Sequence, residues 1–327
     1  MQSNEPEKVK MATTNLTLNK LAKKYSEETK ARELLESLRW PSGAACPRCG
    51  SLDVSKITRK AGSKNPVREG VYRCKDCRKN KTKDQFTVTV GTIFEDSHIP
   101  LSKWLLAITF LCSSKKGVSA HQVHRMLGIT YKSAWFMMHR IRYAKAEEPT
   151  RRMKGTIEAD ETWVGGKRVR LGDRALAFEN KTSVVSLVKR GGGVRSFVVP
   201  LVSAQTLRET LLENIHPSSN LITDDHPGYK TVGKQFGSHE TVNHTDKEYV
   251  RGDVYTNTVE GFFSLLKRGI NGVYHHVSKE HLHRYLAEFD FRYNARKVTD
   301  AERTASAVQG FEGKRLMYKD SLSSTRV

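Results

Sequence analysis

Three carboxylates stand far apart in a chain of 327 residues: Asp160 in Thr156-Ile157-Glu158-Ala159-Asp160-Glu161-Thr162-Trp163, Asp224 after Leu221-Ile222-Thr223, and Glu260 in Asn257-Thr258-Val259-Glu260-Gly261-Phe262-Phe263. Their settings read as strand, strand end and helix. Brought together, they would offer hard oxygen ligands to Mg²⁺ or Mn²⁺ and leave coordination positions open for phosphate, the chemistry of cutting and joining nucleic acid. Each acid also has a plainer reading. Asp160 on an edge strand would simply face water, although a carboxylate inside an apolar-flanked strand is costly to bury without a cation or hydrogen bonds. Asp225 could serve in place of Asp224. Asn257-x-x-Glu260 is close to a capping box, in which Glu260 would only close the first turn of its own helix. Against that, Ser264, Lys267 and Arg268 follow Glu260 at helical spacing, so acid and bases share one face. After Asp160, Gly165-Gly166-Lys167 forms a loop where backbone can approach a phosphate and Lys167 can neutralise it.

A second constellation is Cys46-Pro47-Arg48-Cys49-Gly50 with Cys74-Lys75-Asp76-Cys77. Two tight turns, each presenting paired thiolates, make a Cys₄ tetrahedral site for structural Zn²⁺. Between them 54–58 and 71–73 alternate like short strands, with 61–66 as their turn, so the unit reads as a zinc ribbon held together by its metal. Cys112 lies in an apolar run and reads as core.

The composition narrows the partners. Lys and Arg outnumber Asp and Glu by 56 to 35, a formal charge of +21 spread along most of the chain, so a polyanion is the expected partner. The N-terminus has no apolar signal-like stretch, and the longest apolar run, 104–112, is about half of a membrane span. A cytoplasmic protein with no membrane partner is expected, with thiols serving metal in place of disulfides.

Five segments follow from the pattern. Residues 1–40 hold one amphipathic helix ending before Pro41; 41–90 are the zinc ribbon, closed by a strand-like run at 86–92. Residues 91–149 turn helical at 102–112, 119–127 and 131–143. The last two of these are joined by Leu127-Gly128-Ile129-Thr130, the pattern of a helix-turn-helix. Its second helix offers Tyr131, Lys132, Ser133, His139, Arg140 and Arg142 to DNA, while Ala134, Trp135, Met138 and Ile141 space out as the buried face. From residue 150 to 300 the order is strand, a hairpin around Gly191-Gly192-Gly193, helix 207–215, a strand ending at Asp224, then helices 258–268 and 279–293, which together read as a mixed α/β sheet domain. The His-rich stretch around His275, His276, His281 and His283 is open to metal, phosphate or surface roles. Residues 301–327 are a basic, weakly patterned tail. The fold class is multidomain α+β.

These residues resemble bacterial insertion-sequence transposases of the DDE type, in the group with an N-terminal zinc ribbon. The likeness rests on Cys46-Pro47-x-Cys49-Gly50, Glu158-x-Asp160-Glu161-Thr162-x-Val164-Gly165-Gly166-Lys167, Thr223-Asp224 with Tyr229, Asn257-Thr258-Val259-Glu260-Gly261-Phe262 through Lys267-Arg268, and Arg292-Tyr293-Asn294. The resemblance implies an RNase H-like catalytic domain with its triad at Asp160, Asp224 and Glu260 and a basic helper at Lys267. It also implies two Mg²⁺ ions, nicking at element ends and strand transfer into target DNA. Terminal inverted repeats would be bound by the ribbon and helix-turn-helix, Lys132, Arg140, Arg142, Lys167 and Arg268 would contact DNA, and a homodimer or higher oligomer would pair the ends. Such a protein would join the bacterial nucleoid when bound to DNA. Two other classes fit parts of the pattern: a zinc-ribbon regulator without catalysis, and an RNase H-like nuclease that stops at hydrolysis.

Overall fold

The structure, a computed structural model, describes residues 18–58, 68–146, 151–165, 181–243, 246 and 248–322. Two compact units divide the chain: residues 1–145 with 298–327, and residues 146–297. The first unit opens with α1 (Leu18–Lys24) and α2 (Glu28–Arg39) where the sequence predicts a single helix. The break falls at Ser26, whose hydroxyl bonds back to Lys23 O at 3.4 Å while Glu27 turns extended, a competition with the helix that serine side chains regularly enter. Helix α2 then buries Ala31, Leu34, Leu35 and Leu38 along one stripe.

β1 (Val54–Lys56), β2 (Tyr72–Cys74) and β3 (Gln85–Phe86) form an antiparallel sheet, with Val54 opposite Cys74 and Tyr72 opposite Phe86. The expected turn at 61–66 lies outside the described residues. The strand-like run at 86–92 is corrected: it stops at Phe86, because Thr87 and Thr89 accept turn bonds from the Val90 and Thr92 amides and fold the chain away from the ladder. A short helix, α3 (Lys75–Lys79), carries the second cysteine turn.

Three helices follow. α4 (Leu101–Ser113) buries Trp104, Leu105, Ile108, Leu111 and Cys112, so Cys112 is core as expected. α5 (Ala120–Leu127) is capped at its start by Ser119 Oγ, which accepts from Gln122 N at 3.2 Å. It ends at Gly128, whose left-handed backbone (φ +58) a residue without Cβ adopts at low cost. α6 (Tyr131–Lys145) starts after Thr130 caps Ser133, so the helix-turn-helix layout is present.

The second unit is built on a five-stranded sheet of order β6-β5-β4-β7-β8, comprising β4 (Thr156–Val164), β5 (Thr182–Lys189), β6 (Val194–Val199), β7 (Asn220–Asp224) and β8 (Ser238–Val242). β4, β5 and β6 run antiparallel; β7 lies parallel to β4, and β8 parallel to β7. Alternate residues go to opposite faces. On one face Val164, Val184, Val188 and Val194 meet Val259, Phe262, Leu266, Leu286 and Phe289. On the other, Ile157, Ala159, Val185 and Leu187 meet Leu207, Leu211 and Tyr229. Those partners come from α7 (Ala204–Asn214) and α8 (Pro227–Gly233) on the second face, and on the first from α9 (Asn257–Gly269), with α10 (Leu282–Asn294). Ahead of α9 a small hairpin pairs residues 250–251 with 254–255.

The chain finally returns to the first unit with α11 (Asp300–Gln309), started by a full capping box between Thr299 and Glu302. The segment read as a basic, weakly patterned tail at 301–327 packs into the unit over its first part: Ala301, Ala305, Ala307 and Val308 are buried, as are Phe311 and Leu316 beyond. Alanines make a real but faint apolar stripe, which is why the segment reads as unpatterned. No helix among the described residues is long and apolar enough to cross a membrane.

Candidate active site

The four cysteines converge. Cys46, Cys49, Cys74 and Cys77 place their sulfurs within 4.8 Å of one another, the only group of three or more potential metal-ligating side chains this close among the described residues. Individual separations are 3.7 Å (Cys46 to Cys77), 3.6 Å (Cys49 to Cys74) and 3.5 Å (Cys77 to Cys49). Sulfurs at tetrahedral corners about 2.3 Å from a zinc ion would stand about 3.8 Å apart, so the donor set fits Zn²⁺. The first turn closes through Gly50 N to Cys46 O with Gly50 at φ +74; the second is nucleated by Cys74 Sγ, which accepts from Cys77 N at 3.4 Å. That amide bond is the largest cause bringing the Cys74 thiol down to about 7, toward the thiolate that zinc needs.

The three acids come from three elements. Glu158, Asp160 and Thr162 share the face of β4 turned toward α9, and Ser186, directly across the ladder from Asp160, is small. Thr156 pairs with Asn220 and Glu158 with Ile222, so two steps further the register carries Asp160 alongside Asp224 on the same face, where β4 and β7 part. Glu260 enters from the first turn of α9 and is exposed, with Thr256 Oγ1 donating to its Oε1 at 3.1 Å. The electrostatics report the convergence. Burial chiefly, then the charges of Glu161, Asp224 and Glu260, raise the Asp160 carboxyl to about 7. Asp224 is half-buried and accepts from His226 N at 3.1 Å, whereas Asp225 is exposed. The acids are grouped more loosely than the cysteines.

Glu161, on the opposite face of β4, accepts from the buried Tyr229 hydroxyl at 2.7 Å; burial raises its carboxyl, and the Tyr229 bond partly opposes that rise. The capping-box reading of Glu260 is not what the chain adopts. The N-cap is Thr256, with no side-chain cap bond of its own, and the free helix-start amides go to Glu158 instead: Thr258 N and Val259 N donate to Glu158 Oε2 at 2.8 and 3.0 Å. Sequence reading missed both Glu158 and Arg190, which bonds it. The available signal was Glu158 lying two residues before Asp160, hence on the same face.

The basic residues divide. Lys267 and Arg268 are exposed on α9 with Glu260 and Ser264, as the helical spacing predicts. Lys132 is exposed at the start of α6, its ammonium 4.7 Å from the Tyr318 ring centroid. Arg140 and Arg142, expected to contact DNA, are corrected: they are 6% and 2% exposed, and His139 is fully buried. From Met137 onward α6 is enclosed almost all round, and Arg140 donates to Leu316 O, Ile93 O and Glu95 O. Lys167 lies outside the described residues.

Residues 152–294 match the ISXO2-like transposase domain, and residues 26–80 match the transposase zinc-ribbon domain. A protein of the transposable element ISH50 from Halobacterium salinarum is 31% identical over 293 residues, covering 83% of this chain and 92% of the relative. The chain belongs to the ISXO2-like transposases. A transposase-like protein from Haemophilus influenzae is 29% identical over 105 residues, 32% of this chain and 84% of that relative. For this ISXO2-like transposase, the family matches cover both centres described above: the cysteine cluster lies in the zinc-ribbon match, and the three acids lie in the transposase-domain match.

Proposed function

We propose that this transposase binds the terminal inverted repeats of an insertion sequence, cleaves DNA at the element ends and joins the freed strands to target DNA, using Asp160, Asp224 and Glu260 with two Mg²⁺ ions. The observation that carries the reading is the gathering of the three acids where β4 and β7 part: burial chiefly, then the charges of Glu161, Asp224 and Glu260, raise the Asp160 carboxyl to about 7. A cluster of hard oxygens that is unfavourable to itself fits divalent cations. When bound, such ions supply Lewis-acid stabilisation of the phosphate charge and a more acidic water or 3′-hydroxyl.

The chain's own residues do the positioning. The backbone amide of Glu161 donates to Asp160 Oδ1 at 2.7 Å, and that of His226 to Asp224 Oδ1, so each aspartate keeps its other oxygen outside that amide bond. Lys267 and Arg268, on the exposed face of α9 that carries Glu260, are placed to hold the DNA backbone against the acids. The sheet order, three antiparallel strands continued by two parallel ones, supports an RNase H-like catalytic domain at residues 150–300. Residues 41–90 and 91–149 would bind the DNA ends, with the exposed start of α6 at Lys132 as one contact; Lys167, seven positions after Asp160 in the sequence, would be another. A dimer or higher oligomer would pair the two ends.

The test is an incubation of the full-length protein with labelled inverted-repeat DNA, Mg²⁺ and a supercoiled target. Joined products support the proposal. Nicks without joining would make it a nuclease, and binding without either would make it a regulator.

A further inference from the structure

Helix α9 carries Glu260 in its first turn but has no side-chain cap from its own sequence. Its cap comes from a residue on β4, Glu158, which is fully buried. Four donors converge on that carboxylate: Thr258 N at 2.8 Å and Val259 N at 3.0 Å on Oε2, and Thr258 Oγ1 at 2.8 Å and Arg190 Nε at 2.7 Å on Oε1. The two amides belong to the second and third helical positions, the ones an N-cap side chain normally serves. Arg190 extends the arrangement. Its remaining nitrogens donate to Asp253 O at 2.6 Å and Tyr255 O at 2.7 Å, its guanidinium lies 3.6 Å from the Tyr255 ring centroid, and its own amide bonds Thr156 O. The segment leading into α9 and the first turn of α9 are thus both fastened to β4, within two residues of Asp160.

We infer that Glu158 is a positioning residue of the candidate metal site, which sets the distance between Glu260 and the aspartates by capping α9 from β4, with Arg190 as the counter-charge that keeps its carboxylate in place. The inference rests on the proposed role of Asp160, Asp224 and Glu260. A capping carboxylate used only for stability could sit anywhere on the sheet. This one lies on the same strand and face as Asp160, so any displacement of α9 relative to β4 changes the separation of two of the three acids. Partners that orient metal ligands without touching the metal typically govern affinity by about 10- to 100-fold.

The experiment measures Mn²⁺ affinity of the zinc-loaded full-length protein by calorimetric titration, together with the Mg²⁺-induced rise in melting temperature. Glu158→Gln retains the side-chain volume but replaces one accepting oxygen with a donor that opposes Arg190 or the helix amides. Its folded form is expected to bind Mn²⁺ about 10-fold more weakly and to show a smaller Mg²⁺-induced rise. A merely structural role would lower the melting temperature and leave Mn²⁺ affinity at the wild-type value, which overturns the inference. Asp160→Asn is the control for the site itself: wild-type Mn²⁺ affinity in that variant would overturn the site reading, whereas loss in Asp160→Asn with none in Glu158→Gln overturns only the role of Glu158. Should Glu158→Gln fail to fold, Thr258→Val removes a single donor to the same carboxylate. That variant is expected to weaken Mn²⁺ binding about 3-fold or more, and unchanged affinity there counts equally against the inference.

Discussion

Tyr229 donates its hydroxyl hydrogen to Glu161 Oε2 at 2.7 Å on the face of β4 that packs against α7 and α8, away from Asp160. The bond divides the labour within Glu158-Ala159-Asp160-Glu161. Glu158 is committed to α9 and Arg190, Glu161 to Tyr229, and Asp160 is the acid of the three whose carboxyl is raised by burial first and then by the charges of Glu161 and of both Asp224 and Glu260.

The first prediction follows from that division. Asp160→Asn should lower the rate of DNA end cleavage by at least about 10³-fold, because a group that holds a cation contributes several kcal/mol to the transition state. Glu161→Gln keeps an acceptor for Tyr229 and should retain activity within about 10-fold. The same contrast separates Asp224 from its neighbour: Asp224→Asn should be inactive, and Asp225→Asn, at an exposed position, should cleave near the wild-type rate. Single-turnover cleavage of labelled end DNA reads all four.

The raised Asp160 carboxyl predicts a pH-dependent stability difference. Its ordinary value is 3.8 and its folded value about 7, so the folded state holds the proton more tightly than the unfolded chain. Stability from this group is therefore complete below pH 3.8 and is lost as pH rises through 7. Asp160→Asn removes that loss. In metal-free buffer the variant should be more stable than wild type, by a margin that widens between pH 5 and pH 8 by up to about 2–3 kcal/mol. Saturating Mg²⁺ should narrow or reverse the gap at pH 8, since only the wild type retains the carboxylate. Thermal melts at the two pH values check it.

What the sequence shows of this site, and what it hides, depends on distance along the chain. Strand β4 was legible because Ile157 and Ala159 alternate with Glu158 and Asp160, and α9 because its apolar residues recur at helical spacing. Strand β8 was not, since Ser238-His239-Glu240-Thr241-Val242 has no apolar run; it pairs only because β7 offers it a parallel edge. The cap on α9 was hidden, with Asn257 and Glu260 the local alternative in view, because the acid that provides it lies 100 positions before Thr258. Arg140 and Arg142 looked like DNA contacts because basic residues on a helix default to the solvent side. Only the packed unit reveals the carbonyls of Ile93, Glu95 and Leu316 that Arg140 serves, and the burial of Arg142.

Zinc removal gives a third prediction. The ribbon's core is small, Trp40, Tyr72 and Phe86 around the cysteines, with ring centroids 5.3 Å apart for Trp40 and Tyr72 and 6.0 Å for Trp40 and Phe86. It cannot hold its shape without the metal. Cys49→Ser, or a strong chelator, should reduce zinc from about one ion per chain, alter tryptophan emission and abolish binding to inverted-repeat DNA. Gly50→Ala should be milder. Nothing lies within 4 Å of where its Cβ would stand, so only the backbone at φ +74 resists, at a cost of about 1–2 kcal/mol and a correspondingly weaker zinc affinity.

The two kinds of basic residue in α6 should separate in a fourth measurement. Arg140 donates Nε to Leu316 O at 3.1 Å and Nη1 to Ile93 O at 2.8 Å and Glu95 O at 2.9 Å, with its guanidinium 4.5 Å from the Phe136 ring centroid. Arg140→Ala would leave those carbonyls without their donor inside the unit, so it should destabilise the protein by on the order of 3 kcal/mol and reduce DNA binding only as far as it reduces the folded fraction. Lys132 is exposed at the helix start, and Lys132→Ala should leave the melting temperature within a few degrees. If Lys132 meets a phosphate, the variant should weaken binding to all sequences alike and lower the slope of log affinity against log salt by about one. An unchanged slope with wild-type affinity would remove Lys132 from the DNA interface and leave the helix-turn-helix without its one exposed basic contact from this helix's first turn.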